Sequence, residues 1–443
     1  MNDHNYNTGF LNYCQICYSK DLLEVINLGY QPLADDLIKV SEFNRECIYY
    51  PIKINLCKKC QYLQNNYIVG DKILYNKNYH YRPGISKSVV DNLRMLANET
   101  IRNFDLKPED LVVDIGSNDG TLLSQFKYLG HLNLLGVEPT GTYIFHKDHN
   151  INVVNDYFNL KSSQKINSKY GKAKIITTTN VFAHTNKLGD FIKGIKNILR
   201  KDGIFIIENH YLLDVIKKNQ FDTFYHEHLR TYSLKSLIRL MELYGFYIYE
   251  AKTSDRYGGN IQVHFTLQKV NHSSNVNKIL KIETAFGLDN PKTYLKFNSN
   301  IEKINFTENG LKNIWDTCNG DMRRAINMLQ ATSSLGSVDE QSVLKTSEIS
   351  YINGVGKVLD LALAGKFIES KNKFMELKHV YGMSEQDFLK YANEELSKKS
   401  IDNIEKLIEI LAKYDYRIIV GANPEIQLDA LLAEISALNN ENK

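Results

Sequence analysis

Short apolar runs alternate with helical periodicities through the middle of the chain. LVVDIG, LNLLGVE, AKIITTTNV and GIFIIENH are bounded apolar runs, which predict buried strands. Between them, LLSQFKYLG and KLGDFIKGIKNILR repeat apolar residues at three- and four-residue spacing, which predicts helices. This alternation, from residue 88 to residue 270, predicts an α/β, doubly wound, Rossmann-like domain: a parallel sheet with helices on both faces. From residue 306 to the end the pattern turns almost wholly helical, as in DMRRAINMLQATSSLG and IEKLIEILAKYDYRII. Gly336, Gly365 and Gly382 stand where those helices should end. The Asn-, Ser- and Lys-rich stretch 271–305 reads as a connector. Residues 1–75 are short segments broken by Gly, Pro and Asn. The expected division is therefore 1–75, 76–270, 271–305 and 306–443, the last an all-α region.

Composition narrows the class. At 443 residues the chain is too long for one core. A net charge of +3 excludes a polycation that would coat nucleic acid or anionic lipid, although local basic patches stay open. No apolar run approaches the roughly 20 residues that span a bilayer. MNDHNYNTGF has neither the basic start nor the apolar centre of a signal peptide. The expectation is a cytoplasmic protein with no membrane contact, whose six cysteines are reduced.

In that setting the pairs Cys14-x2-Cys17 and Cys57-x2-Cys60 read as metal knuckles before disulfides. Each knuckle supplies two thiolates on a tight turn, and two knuckles close a tetrahedral four-sulfur zinc site. Four thiolates leave no open position, so the zinc is expected to be structural. The competing reading is two chance pairs of buried thiols. Cys47 and Cys318 read as ordinary buried residues.

VVDIGSNDG is a buried strand followed by a Gly-containing turn and a helix start. Gly116 and Gly120 would let backbone approach a ligand where a Cβ would clash. Glu138 ends the second strand, where an acid can accept both ribose hydroxyls of a nucleoside. The turn lacks the G-x-G-x-x-G of a dinucleotide site, so it suits S-adenosylmethionine better than NAD. Asp156 sits where an acid could meet the adenine amino group, and Asp114 and Asn118 of the turn complete the candidate cofactor ligands. A Rossmann-like fold holding another nucleotide is the alternative.

After the fourth strand, FDTFYHEHLRTYS crowds Tyr225, His226, Glu227 and His228 together. On a helix, Tyr225 and His228 would be neighbours at i, i+3. HEH also resembles a metal-ligand string, but adjacent and alternate residues do not converge on one helix face, and HExxH spacing is absent. A purely structural polar cluster is the other reading. His184, in NVFAHT, lies just past another strand's carboxyl end. A lone histidine there is more often packing, and its interest comes from Tyr225 and His228.

Together CQIC, CKKC, LGYQPLADDL, VVDIGSNDGTLL, NVFAHT, FDTFYHEHL and RYGGNIQV resemble the nucleotide-sugar C-methyltransferases, over residues 10–300. The resemblance implies a class I methyltransferase domain behind a small zinc-binding domain, acting on a nucleotide-linked keto-deoxysugar. It implies His228 as the base that forms an enolate, oriented or tuned by Glu227. Tyr225 and His184 would stabilise the enolate oxygen, and Tyr79 and Tyr81 of YHYRPG would cap the sugar. Histidine suits the role because its unperturbed pKa lies near neutral. Two departures stand out. Asp35 occupies a position where the family usually has Asn. The second Rossmann-like domain that normally follows the core is replaced by the helical tail.

That tail, over residues 306–438, resembles the lid and collar of a replication factor C small subunit. Arg323 of GDMRRA would be its sensor arginine. The sequence holds no G-x-x-x-x-G-K-[ST] loop, so no ATP site is expected in cis. The resemblance implies clamp-loader subunits as partners of these helices. Three hypotheses follow: an enzyme with a foreign tail, a non-catalytic clamp-loader fragment with a passenger methyltransferase, and a cofactor-binding relic. The tail's helices acting only as a cover, or a fusion with no joint function, is the bland alternative.

Overall fold

A computed structural model describes residues 4–34, 47–75, 79, 81–302, 305–318, 325, 328–329, 332–333, 335–346, 348–381, 385–397 and 404–438. Asp35, Arg323 and Gly382 fall outside these. The chain divides into two units, Met1–Lys303 and Ile304–Lys443.

The first unit opens with strands β1 (Leu22–Gln31), β2 (Tyr50–Cys57) and β3 (Tyr62–Asn65), paired antiparallel in that order. Helix α1 (Lys87–Asn103) leads into the large sheet. There follow β4 (Val112–Ile115), α2 (Thr121–Tyr128), β5 (Leu134–Val137), β6 (Asn152–Val154) and α3 (Leu160–Tyr170). Next come β7 (Ala173–Thr179), α4 (Leu188–Ile198), β8 (Leu199–His210) and α5 (Leu212–Lys217). The unit ends with β9 (Arg230–Thr231), α6 (Leu234–Glu242), β10 (Tyr247–Ser254), β11 (Asn260–Thr266), α7 (Ser274–Phe286) and α8 (Pro291–Glu302).

The large sheet has seven strands in the order β10-β11-β8-β7-β4-β5-β6. Strands β4 to β8 run parallel. The strands expected from the sequence are parallel, and the sheet is made mixed by β11, which is antiparallel to both β8 and β10. Five residues, 255–259, join β10 to β11, too few for a crossover helix, so the chain reverses. Every residue of β4 is buried, as a central strand covered on both faces requires. Val112, Ile175 and Ile206 pack against Leu93 and Leu96 of α1 and Leu122 and Phe126 of α2. Helix α4 buries Leu188, Phe191, Ile192, Ile195 and Ile198 at helical spacing. Each such side chain contributes roughly 1.5–3 kcal/mol of burial. Asn159 with Ser162, and Ser233 with Ser236, form reciprocal capping boxes that start α3 and α6.

Two boundaries differ from expectation. Strand β9, from residues 230–231, joins β3 as the edge of the first sheet, giving the order β9-β3-β2-β1. The cysteine-bearing sheet therefore includes a strand far beyond residue 75. The stretch read as a connector folds into α7 and α8. Glu283 of α7 accepts from the Leu234 and Lys235 N–H groups at 2.5 and 3.2 Å, at the exposed amide end of α6.

The second unit is helical: α9 (Glu308–Cys318), α10 (Glu340–Thr346), α11 (Glu348–Leu363), α12 (Phe367–Tyr381), α13 (Glu385–Ser397), α14 (Ile404–Ile419) and α15 (Pro424–Leu438). A two-residue strand pair, Asn305–Phe306 with Ser337–Val338, ties its start together. Val355, Leu359, Phe374, Phe388, Leu411 and Leu431 form its core. Gly336 and Gly365 adopt positive φ at helix ends. Among the described residues no helix is long and apolar enough to cross a membrane.

Candidate active site and metal centre

The knuckles converge. Cys57 closes β2 and Cys60 lies in the turn to β3, while Cys14 and Cys17 approach from the preceding segment. All four sulfurs lie within 4.8 Å of one another. Cys14 and Cys60 are 3.8 Å apart, and Cys17 and Cys57 are 3.7 Å apart. A tetrahedron with Zn–S bonds of about 2.3 Å has edges of about 3.8 Å, which these two separations match, so the cluster has the spacing of a four-sulfur zinc site. Hydrogen bonds shared among the sulfurs lower the Cys57 thiol and raise those of Cys14 and Cys60, so without a metal Cys57 is the first of the three to become a thiolate. Cys318 is buried as expected, whereas Cys47 is only half-buried. Among the described residues these four cysteines form the only cluster with metal-ligand spacing.

The cofactor turn follows β4. Gly116 and Gly120 have φ of +72° and +81°. A Cβ on Gly116 would stand 2.5 Å from Val181, and one on Gly120 would stand 3.2 Å from His146. Glycine is thus required here by left-handed backbone and by the protein's own packing, beyond the ligand approach expected from sequence. Asp114, one residue from the end of β4, accepts from Thr177 Oγ1 at 2.6 Å. Burial, reinforced by the nearby Glu138 charge, pushes the Asp114 carboxyl up to about 7 against that hydrogen bond. Glu138 follows β5 and accepts from the N–H groups of Asn118 and Thr140, both at 2.8 Å. Burial raises its pKa as well. Asp156 is exposed just past β6. The donor set suits S-adenosylmethionine: two buried carboxyls, one in the strand before the turn and one after the next strand, stand at the carboxyl ends of adjacent strands and would favour a ligand that carries cationic sulfur and nitrogen.

The segment 81–84 lies along this turn. Asn118 Nδ2 donates to the Tyr81 carbonyl at 2.9 Å, and the Gly84 N–H donates to Asp119 at 3.1 Å. Tyr79 is placed differently: its ring lies 5.8 Å from that of Tyr75, whose hydroxyl is 2.7 Å from His184 Nδ1. The two tyrosines expected to act together therefore approach different halves of the site.

The FYHEHL segment is a turn, with the His228 N–H bonded to the Tyr225 carbonyl at 3.1 Å. The i, i+3 proximity that a helix would give arises here from a turn, which also brings those positions together. His228 Nδ1 lies 2.7 Å from the Thr223 carbonyl, which can only accept. Nδ1 therefore carries the proton, and Nε2 accepts from the Tyr225 hydroxyl at 2.9 Å. The His184 ring is 5.0 Å from that of His228, and His184 Nδ1 is 4.0 Å from the Glu227 carboxylate. His226 turns away and meets the Tyr50 carbonyl of β2 at 3.0 Å.

Two histidines were not singled out from the sequence. His210, the last residue of β8, places its ring 5.0 Å from His228. Burial lowers its pKa to about 4. His146 lies under the cofactor turn, where its Nε2 accepts from Ser117 Oγ at 2.9 Å. Burial holds it down to about 4 as well. The carboxyl end of a strand was the available signal for His210; for His146 the sequence offered none.

Four family models match the chain. They are a zinc binding domain over residues 14–75, a methyltransferase domain over 90–251, an RCF1/5-like AAA+ ATPase lid domain over 294–334 and a replication factor C C-terminal domain over 353–434. The C-methyltransferase NovU of Streptomyces niveus is 27% identical over 297 residues, covering 66% of this chain and 70% of its own length. The replication factor C small subunit of Sulfolobus acidocaldarius is 37% identical over 139 residues, 30% of this chain and 43% of the relative. That of Saccharolobus solfataricus is 36% identical over 144 residues, 32% and 44% respectively. The chain spans less than half the length of those small subunits. It joins an S-adenosylmethionine-dependent methyltransferase with a four-cysteine zinc domain to a segment like the lid and carboxyl-terminal domains of replication factor C.

Proposed function

We propose that this S-adenosylmethionine-dependent methyltransferase methylates a ring carbon next to the ketone of a nucleotide-linked keto-deoxysugar. The single observation that carries the reading is the fixed tautomer of His228. Its Nδ1–H is committed to Thr223, which leaves Nε2 as a base beside the Tyr225 phenol. Carbon is a poor nucleophile until a proton is removed next to a carbonyl, and a neutral imidazole near physiological pH suits that task.

As the sugar binds, the Tyr225 hydroxyl turns from His228 Nε2 to the ketone oxygen; the freed Nε2 takes the acidic C–H proton, and the electron pair moves through the new C=C bond onto that oxygen. Tyr225 and His184 donate hydrogen bonds to that oxygen as its charge develops, the largest expected contribution. Glu227, 4.0 Å from His184 Nδ1, helps orient that ring. S-adenosylmethionine supplies an electrophilic methyl on a sulfonium sulfur. Asp114, Gly116, Asn118, Gly120, Glu138 and Asp156 would hold it, with Glu138 available to the ribose hydroxyls and Asp156 to the adenine edge. Tyr79 and Tyr81 bound the sugar. The protein works in the cytoplasm.

Methyl transfer to a panel of nucleotide-linked ketosugars tests this reading, with His228→Ala as control. Equal activity of wild type and variant would remove His228 as the base. Deuterium wash-in at the carbon next to the ketone, without methyl donor, reads proton removal by itself.

A second reading concerns the tail, whose closeness to replication factor C small subunits favours contact with clamp-loader subunits through α11 to α15. The sequence holds no phosphate-binding loop, so this role is non-catalytic. Co-purification of the full chain with separately produced clamp-loader subunits tests it. No complex at micromolar concentration would leave the tail without that partner.

A further inference from the structure

Arg230 stands two residues past His228 and is 1% exposed. Its guanidinium reaches three parts of the molecule. Nε donates to the Tyr232 hydroxyl at 3.0 Å, one terminal nitrogen donates to Gln15 Oε1 at 2.9 Å, and the other donates to the Thr185 carbonyl. Gln15 lies inside the Cys14–Cys17 knuckle, and Thr185 follows His184. One rigid fork therefore bridges the metal centre to the backbone of both histidine segments.

None of the three acceptors is a carboxylate; the carboxyl near enough to attract Arg230 is that of Asp71, which makes no hydrogen bond to it, so the guanidinium is buried with only distant compensation. Four thiolates around one zinc ion are net anionic. The Gln15 N–H donates to the Tyr62 hydroxyl at 3.1 Å, and that oxygen lies 3.8 Å from Cys14 Sγ. The knuckle thus offers Arg230 both an acceptor and nearby negative charge.

The surrounding segment is stitched to the same sheet. The Leu229 carbonyl accepts from the Asn65 N–H at 3.0 Å, Ser233 Oγ donates to the Gln61 carbonyl at 2.9 Å, and Arg239 donates to the Lys59 carbonyl at 2.8 Å. Strand β9 extends the ladder through Arg230↔Gln64 and Thr231↔Leu63. The cofactor turn takes its bonds elsewhere, from β5, Thr177, His146 and the 81–84 segment.

We propose that Arg230 is a positioning residue through which the zinc centre sets the geometry of His184 against His228, so that the metal governs methyl transfer without governing cofactor affinity. Only the kinetic part rests on the catalytic reading of those histidines.

Hydrogen exchange on the full chain, with and without a zinc chelator, tests the coupling directly. Chelation should speed exchange over residues 224–232 by about tenfold or more while residues 112–120 keep their protection. Arg230→Gln should do the same with zinc still bound and with the S-adenosylmethionine Kd within about twofold of wild type. It should lower kcat about tenfold or more, with partial recovery in Arg230→Lys, which restores charge without the fork. Unchanged exchange over 224–232, or exchange rising equally over 112–120 with loss of cofactor binding, would overturn the proposal. Should Arg230→Gln fail to fold, the chelation experiment on the wild type decides by the same criterion. Should no ketosugar be methylated, the substrate reading fails while the exchange result still stands.

Discussion

His228 has one ring nitrogen bonded to a carbonyl and the other to a phenol, and that pair of contacts assigns its proton. His228→Asn keeps a polar side chain but removes the base. It should lower methyl transfer about 10²–10⁴-fold while calorimetry shows unchanged S-adenosylmethionine binding. Asp114 behaves differently, because burial opposes its charge. Asp114→Asn should raise the melting temperature of the ligand-free protein at pH 8, where the native carboxylate is charged at a cost. The same change should weaken the cationic cofactor about tenfold, or ~1.4 kcal/mol. In the wild type, cofactor binding at pH 7 should release protons as the Asp114 pKa falls, seen as a buffer-dependent heat. His146 and His210 contribute to the acid limit, together with the buried His264 and His226. The folded pKa values of His146 and His210 lie near 4, below the roughly 6.5 of an unfolded histidine, so the unfolded chain binds protons first as pH falls. The contribution of these histidines should therefore be complete above about pH 6.5 and decline toward pH 4, at up to ~1.4 kcal/mol per pH unit for each, offset in part by Asp114 and Asp71, whose raised carboxyls lose their cost as they are protonated. Melting temperature against pH checks this, with a shallower slope expected in His210→Asn.

At the scale of elements, much was legible. The strands VVDI, LLGV and AKIITTT fall within the apolar runs that announced them, and Leu188–Ile198 is a helix by its spacing. Patterning succeeds there because burial on one or both faces leaves a periodic trace. The Tyr225–His228 segment left no such trace, since its shape comes from bonds to Thr223 and to the zinc sheet. Ser233 shows how local and distant bonds combine: it caps α6 and also donates to the Gln61 carbonyl. Ser233→Ala should cost ~1–2 kcal/mol in denaturant unfolding, at the upper end for a cap because both bonds are lost.

At the scale of the molecule, the division at residue 303 separates two cores. A chain ending at residue 303 should bind S-adenosylmethionine with the affinity of the full chain, measured by calorimetry, because every proposed cofactor ligand lies within the first unit. A tenfold loss would show that the helical unit supports the cofactor site.

The sequence by itself determined the alternating α/β core, the helical tail, the four metal-ligating cysteines and the types of residue available for proton transfer. Periodicity and short fixed spacings are local properties, and they are written into neighbouring residues. Only the tertiary structure decided that residues 230–231 complete the zinc-bearing sheet, that His146 buttresses the cofactor turn and that His210 joins His184 and His228. Those placements depend on contacts between residues tens to hundreds of positions apart, where the closure of the fold rather than any local pattern chooses the partner.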